Sequence, residues 1–346
     1  MKKLLVVLIC LAIVAGGSLR LVWHWWQSPS GVRNEVTILV GEGSSLGSVA
    51  QELSAQKLLR WPKMWRLLAR LQGLDSQIKQ GEYRFAAAAS PASLLHALVI
   101  GETVKYKVTL PEGISLYTAL GILQAQEPMV KLLDGVDDPR LLSLVQPAVS
   151  PEGLFFPDTY SYSRTDSDLG ILRLARRRMR QVLDNSWQHR EPDLPYANAY
   201  EALVMASVVE KETGLATERE QIAGVFVRRL RENMRLETDP AVIYGLGSDF
   251  DGNLRKRHLT DRTNPYNTYR HKGLPPTPIA LPGRAAIEAA LHPAAGTALY
   301  FVARGDGSHQ FSDTLTEHQQ AVRTYQLARR KNYRSAPPVK TPEGTP

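Results

Sequence analysis

The chain has 346 residues, 43% of them hydrophobic and 22% charged, which is ordinary globular composition with room for about two domains. A formal net charge of +8 suits an anionic partner, whether nucleic acid, membrane surface or cell wall, without choosing among them. The single cysteine, Cys10, excludes a disulfide framework and a cysteine-based zinc site.

Lys2 and Lys3 open the chain, and an apolar run follows from Leu4 to Leu19. Arg20 interrupts it before Leu21 to Trp26, which carries Trp23, Trp25 and Trp26. A signal peptide is one reading, with Ala15-Gly16-Gly17-Ser18 as a weak cleavage site. An anchor is the other: the length suffices if Arg20 snorkels, and the tryptophans form an interfacial belt. The two amphipathic ends favour one uncleaved anchor over residues 1–26. The lysines then place the short N-terminus in the cytoplasm and the rest outside. Cys10 lies within the apolar run, which argues against a lipoprotein, and no second stretch is long and apolar enough to span.

Residues 27–35 are expected to form a polar linker. Val36 to Val40 is predicted as a strand, and Ser45 as the cap of a helix from Leu46 to Gln56 with Leu46, Val49, Ala50 and Leu53 on its apolar stripe. Pro62 opens a predicted helix to Leu71, and Gly81 to Phe85 reads as a strand. Strand, helix, helix, strand is a small α+β module, assigned to residues 36–105, and it resembles the LysM-like module of cell-wall proteins. Further elements are a helix from Ser93 to Ile100 and a strand from Lys105 to Leu110. The stretch from Thr118 to Asp184 is mixed. Helices are predicted over Tyr200–Thr213 and Thr217–Glu232, and loops rich in proline and glycine from there to Gly283. A helix over Ala285–Leu291, a strand over Ala298–Ala303 and a helix over Thr316–Lys331 follow, then a disordered tail over residues 335–346.

The helix ending in Glu210-Lys211-Glu212 is apolar nearly all round, so it is expected to be buried. Residues two apart point about 200° apart on a helix, so the two glutamates cannot form a dyad. Glu212 projects over Met205, Val208 and Val209, and Glu210 over Leu203, Ala206 and Ser207. A carboxyl among apolar neighbours at a helix C-terminus is biased toward its protonated form, as a general acid requires. A solvent-facing helix end explains the same charges, and composition leaves both readings open. Thr217 to Glu220 reads as a capping box, which makes Glu218 and Glu220 structural acids.

Two later segments, Leu236 to Tyr244 and Asn264 to Tyr269, hold polar and aromatic groups between rigid turns, the second closing in Gly273-Leu274-Pro275-Pro276. Such groups suit sugar hydroxyls and ring faces, and a proline-braced loop accounts for them equally well. Glu210, Asp239, Tyr266, Asn267 and Tyr269 are the candidate substrate contacts. The eight histidines lack metal-ligand spacing, so no metal is expected, and His309 is assigned local hydrogen bonding. No Gly-rich phosphate motif appears, no cofactor is expected, and the arginines at 228, 229 and 231 carry no nucleic-acid role.

The segments EGLFFPDTY (Glu152–Tyr160), ASVVEKET (Ala206–Thr213), ERE (Glu218–Glu220) and MRLETDPAVIYGLG (Met234–Gly247) follow one another in order. NPYNTY and GLPPTPIALPG (Asn264–Gly283), HPA at His292 and YFVARGDGSHQFSDTLTEH (Tyr300–His318) complete the set. In these motifs the chain resembles the endolytic murein transglycosylase family, the YceG-like proteins. The resemblance implies an α+β fold: an N-terminal transmembrane helix, a small LysM-like α+β module and a larger YceG-like α+β catalytic domain at residues 106–334. It implies Glu212 as the catalytic residue and cleavage of peptidoglycan glycan strands without water, leaving 1,6-anhydro ends. It places the protein in the bacterial inner membrane as a single-pass protein, with peptidoglycan synthases as candidate partners. Glu237, Thr277 and Leu281 depart from the family pattern, and Leu281 is a poor sugar contact. A hydrolase using Asp239 or Asp158 as second carboxylate, and a non-catalytic wall-binding scaffold, are the competing functions.

Overall fold

The computed structural model describes residues 2–212 and 214–327. Its contacts divide the chain into two compact units: Met1–Lys107 with Glu127–Val130 and Ser161–Asp166, and Val108–Gln126 with Lys131–Tyr160 and Ser167 onward. The predicted disordered tail and the last residues of the predicted terminal helix lie outside the described residues.

The first unit opens with α1 (Lys2–Gln27), long and apolar enough to cross a membrane. It continues through β1 (Val36–Val40), α2 (Leu46–Ala55), α3 (Pro62–Leu71), β2 (Gly81–Phe85) and α4 (Pro91–Ile100). The strand–helix–helix–strand order is therefore present, with β1 antiparallel to β2 and Val36 opposite Phe85. Local chemistry sets the helix starts. The Ser45 and Ser90 hydroxyls accept the N–H groups of Ser48 (3.1 Å) and Ser93 (3.2 Å), and Pro62 and Pro91 occupy first turns. Ile38 and Val40 alternate inward onto Leu53, Trp65, Tyr83, Leu94 and Leu98. Trp65 satisfies its indole N–H on the Pro91 carbonyl at 2.9 Å.

Residues 28–35, expected as a linker, are tied to this body. Ser30 N–H donates to the Ala89 carbonyl at 3.0 Å, and Ala88 N–H to the Val32 carbonyl at 2.9 Å. Trp26, from the last turn of α1, belongs to the same core.

The second unit follows β3 (Tyr106–Thr109), which pairs with β4 (Thr159–Tyr162); the division between the units falls inside these strands. Between them run α5 (Leu116–Gln124) and α6 (Pro139–Val145), and after them α7 (Asp168–Gln188) and α8 (Ala199–Glu212). Then come α9 (Arg219–Arg231), α10 (Asp239–Leu246), α11 (Lys256–Thr260) and α12 (Arg284–Leu291). The hairpin β5 (Tyr300–Ala303) and β6 (His309–Ser312) and the helix α13 (Leu315–Val322) follow. Every residue from Ala202 to Val209 in α8 is buried, against α7, α9, α10 and α12. That surround is why the helix is apolar on all sides. Truncating Leu203 to Ala would cost about 2–5 kcal/mol by opening a cavity there.

The stretch expected to be mixed before Asp184 holds α5, α6, β4 and most of α7. The structure corrects two further expectations. The segment expected as loops up to Gly283 holds α10 and α11. The predicted capping box at Thr217 does not form. Helix α9 starts at Arg219, and the Glu218 carboxylate instead accepts the His309 backbone N–H at 3.0 Å and pairs with its Nδ1 at 2.7 Å. Glu218 is structural, as expected, but through a long-range contact that binds β6 to the foot of α9.

Candidate active site

The last turn of α8 ends the buried helix at a polar cluster. The Thr238 hydroxyl donates to Glu212 Oε1 at 2.5 Å. Thr238 is itself fixed by Thr268, whose Oγ1 accepts the Thr238 N–H at 2.9 Å and donates to its carbonyl at 3.2 Å. Next in the chain, Asp239 accepts the Tyr269 hydroxyl at 2.8 Å. Loss of solvation pushes the Glu212 carboxyl up to about 7; the Thr238 hydrogen bond opposes that rise and the Asp239 charge adds to it. The same two carboxylates, with burial as the leading cause, raise the Tyr269 phenol. Glu212 is thus a carboxyl held near neutrality's midpoint, oriented by one hydroxyl and adjoining one further acid.

Glu210 leaves α8 on another side. Its Oε2 accepts the Gly283 N–H at 3.0 Å, and its Oε1 lies 3.8 Å from Arg219. Burial raises its pKa, the Gly283 N–H opposes that, and Glu112 adds to it. The Glu112 carboxylate lies over Gly283, where a Cβ would oblige that exposed side chain to swing aside. Glu210 therefore closes the loop that leads into α12.

Lys211, between the two glutamates, lines a cavity of about 1000 Å³ together with Ser115, Glu152, Pro240, Ile243 and Tyr244. Glu212 is not part of that lining; the cavity is reached through its neighbour Lys211 and through Pro240, which follows Asp239 on α10. Glu152 is buried at the cavity wall and is pushed up to about 7 by desolvation, against backbone N–H groups of Leu116 and Gly153. Its Oε1 accepts the Leu116 N–H at 3.0 Å at the start of α5, and its Oε2 accepts the Tyr244 hydroxyl at 3.3 Å. Helix α10 thus runs from beside one raised carboxyl to beside another. Among the described residues no cluster of His, Cys, Asp and Glu could hold a metal ion.

The sequence model of the YceG-like family matches residues 38–324. The chain belongs to that family. It is 28% identical over 312 residues to a Bacillus subtilis protein named endolytic murein transglycosylase, covering 85% of each chain. It is 27% identical over 322 residues to a Streptococcus pneumoniae protein of the same name, covering 83% of this chain and 58% of that one. The crystal structure of a yceG-like protein from Listeria monocytogenes superposes with a TM-score of 0.54 at 28% identity, over 83% of this chain and 99% of that one.

In this YceG-like chain, Glu212, Asp239 and Tyr269 come together as one group. Three other expected sugar contacts do not join it. Asn267 is fully buried; its Nδ2 donates to the His258 carbonyl at 3.0 Å and to the Asp261 carbonyl, and its Oδ1 accepts the Tyr269 N–H at 3.1 Å. That leaves nothing for a sugar hydroxyl, so Asn267 braces the loop that presents Tyr269. Glu210 is spent on Gly283 and Arg219, as described. Tyr266 is half-buried, bonded to Thr277 Oγ1 at 2.8 Å and packed edge-on to Tyr244 at 4.9 Å, so it supports the cavity wall. The extra charge of Glu237 turns to Arg229 at 3.1 Å, although its backbone lies in the left-handed region (φ 57) next to Thr238. Leu281 is buried, in keeping with its poor suitability as a sugar contact, and Asp158 caps the Thr159 N–H at 2.7 Å. Sequence reasoning missed Thr238, Thr268, Glu152 and Tyr244. The threonines stand in motifs already singled out, and Glu152 is the sole acid opening EGLFFPDTY, so the signal was present as position without chemistry.

Proposed function

We propose that this chain is a lytic transglycosylase of peptidoglycan, a lyase that cuts within glycan strands between N-acetylmuramic acid and N-acetylglucosamine. The observation that carries the reading is Glu212: one carboxyl, raised to about 7, at the end of a buried helix and oriented by Thr238. A carboxyl with that balance is protonated often enough to donate and ionised easily enough to accept. Protonated Glu212 gives its proton to the glycosidic oxygen while the bond from the muramyl C1 to that oxygen breaks. The resulting carboxylate takes the proton of the muramyl 6-hydroxyl as that oxygen bonds to C1. Glu212 ends protonated, no water enters, and the products are a 1,6-anhydro-muramyl end and a free N-acetylglucosamine end. The names of the Bacillus and Streptococcus relatives support the same substrate.

Asp239 and Tyr269 flank the reacting sugar in this reading, and the cavity lined by Lys211 and Tyr244 takes the continuing strand. Helix α1 serves as a single-pass anchor in the cytoplasmic membrane, with the N-terminus inside and the chain after Gln27 outside. The strand–helix–helix–strand part of the first unit serves as a LysM-like wall-binding module. A synthase that extends glycan strands at the same membrane is the natural partner. One observation favours hydrolysis instead: Asp239 adjoins Glu212 and is exposed, as a water-activating base would be. Mass spectrometry of the new ends made from purified glycan strands tests the proposal. Anhydro ends are expected; reducing ends would assign hydrolysis, and no cleavage would leave a wall-binding scaffold.

A further inference from the structure

The end of α1 is built into the first unit rather than tethered to it. Trp26 lies in the core, the Trp25 ring lies 5.2 Å from the Trp61 ring, and the backbone at Ser30 and Val32 is bonded to Ala89 and Ala88. Packing, not a linker, therefore fixes how far the unit stands from any bilayer that α1 crosses. Helix α3 lies at that same level at both of its ends. Trp61, just before it, touches Trp25. Gln72, just after it, lines a cavity of about 580 Å³ that Trp26 and Gln27 also line.

The inner side of α3 is Trp65 and Ala69, both fully buried. Its outer side is Lys63, Arg66, Leu67, Arg70 and Leu71, all exposed, a single stripe at helical spacing. Leu71 is 74% exposed and Leu67 52%, and Trp61 is 47% exposed with the Arg60 guanidinium 5.4 Å over its ring. An outward stripe of leucine and tryptophan interleaved with cations is unfavourable toward water alone. It fits the boundary between lipid headgroups and acyl chains, where the apolar groups insert shallowly and the cations meet phosphate. The acid seen against this stripe is Asp75, 3.7 Å from Arg70 in an exposed pair that contributes little.

We infer that α3, with Trp61, is a second membrane contact, seated on anionic phospholipid headgroups of the leaflet from which α1 emerges. The inference rests on the reading of α1 as a membrane-spanning anchor. Two attachments, one through the bilayer and one along it, hold the first unit in a fixed pose on the membrane surface.

The test uses the full chain in nanodiscs of phosphatidylcholine, with and without phosphatidylglycerol. An environment-sensitive fluorophore on native Cys10 reports on α1. The same fluorophore on Leu71→Cys or Leu67→Cys, each combined with Cys10→Ser, reports on α3. With phosphatidylglycerol present, both α3 probes should be quenched by a headgroup-level lipid quencher and should lose several-fold in quenching by aqueous acrylamide. Lys63→Glu/Arg66→Glu/Arg70→Glu should return them to full acrylamide quenching while the Cys10 probe stays protected. Full acrylamide quenching of both α3 probes in every disc, with Cys10 protected, overturns the docking and leaves the anchor standing. Acrylamide quenching of the Cys10 probe overturns the anchor and the docking with it.

Discussion

Two carboxyls leave the same turn of α8, and burial raises both, yet they are built for different ends. Around Glu210 the neighbours are a backbone N–H, a guanidinium and a second acid, all bound to the closing of a loop. Around Glu212 they are a single hydroxyl, a flanking aspartate and a tyrosine held by that aspartate. Desolvation alone does not make a catalytic acid. In the proposed mechanism, what separates the two is whether the carboxyl has partners that orient it while leaving its proton free to move.

That contrast is broken most severely at Glu212. Glu212→Gln keeps the shape and the Thr238 contact but removes the transferable proton, so turnover should fall by about 10²–10⁴ or more, with the circular dichroism spectrum unchanged. The next largest effect belongs to the loop that presents Tyr269. Asn267→Ala leaves the His258 and Asp261 carbonyls without their donor, at a cost of about 2–3 kcal/mol, read as a lower midpoint in urea. Loss of turnover at full stability would instead make Asn267 a sugar contact. Glu210→Gln keeps an acceptor for the Gly283 N–H and gives up only the charge facing Arg219, so it should cost about 1 kcal/mol or less and keep measurable anhydro product.

Smaller effects follow from pH. Glu152 and Glu212 have folded-state pKa values raised to about 7 from an ordinary 4.5, so between those values the native state holds protons the unfolded chain has lost. The contribution of these two groups to stability is therefore full below about pH 4.5, is lost as pH rises toward 7, and is absent above it. The total is on the order of 1–3 kcal/mol after allowance for solvent screening. Glu212→Gln should flatten part of that slope in melting curves. Thr238→Val, which removes the hydrogen bond that lowers the Glu212 pKa, should move the alkaline limb of the rate profile upward. A downward move would mean that Thr238 stabilises the protonated form.

Much of this architecture is legible in the residues because it is local. Val36–Val40, Pro62–Leu71 and Gly81–Phe85 form the expected elements at the expected bounds, since alternation, a first-turn proline and flanking turns dictate them. The apolar girth of α8 likewise announces its burial. Helix α10 is less legible, because it opens with Asp239-Pro240 and reads as a turn, while its fit depends on Gly245 lying against the Asn264 side chain, where a Cβ would collide. The long-range pairings were beyond local pattern: Glu218 with His309 across 91 residues, Glu152 with Tyr244 across 92, and Thr238 with Thr268 across 30. Asn267 misleads for the same reason. Its type suits a sugar, and only the fold shows that backbone carbonyls have already claimed it.

The central claim is that one carboxyl serves as acid and then as base, so that no water enters the products. Cleavage of purified glycan strands by the full chain in water enriched in heavy oxygen, followed by mass spectrometry of the new muramyl ends, tests it most directly. The account predicts anhydro ends with no heavy oxygen from the wild type, the same ends from Glu210→Gln, and none from Glu212→Gln. Reducing ends carrying heavy oxygen, or anhydro ends that persist in Glu212→Gln and vanish in Glu210→Gln, would contradict it.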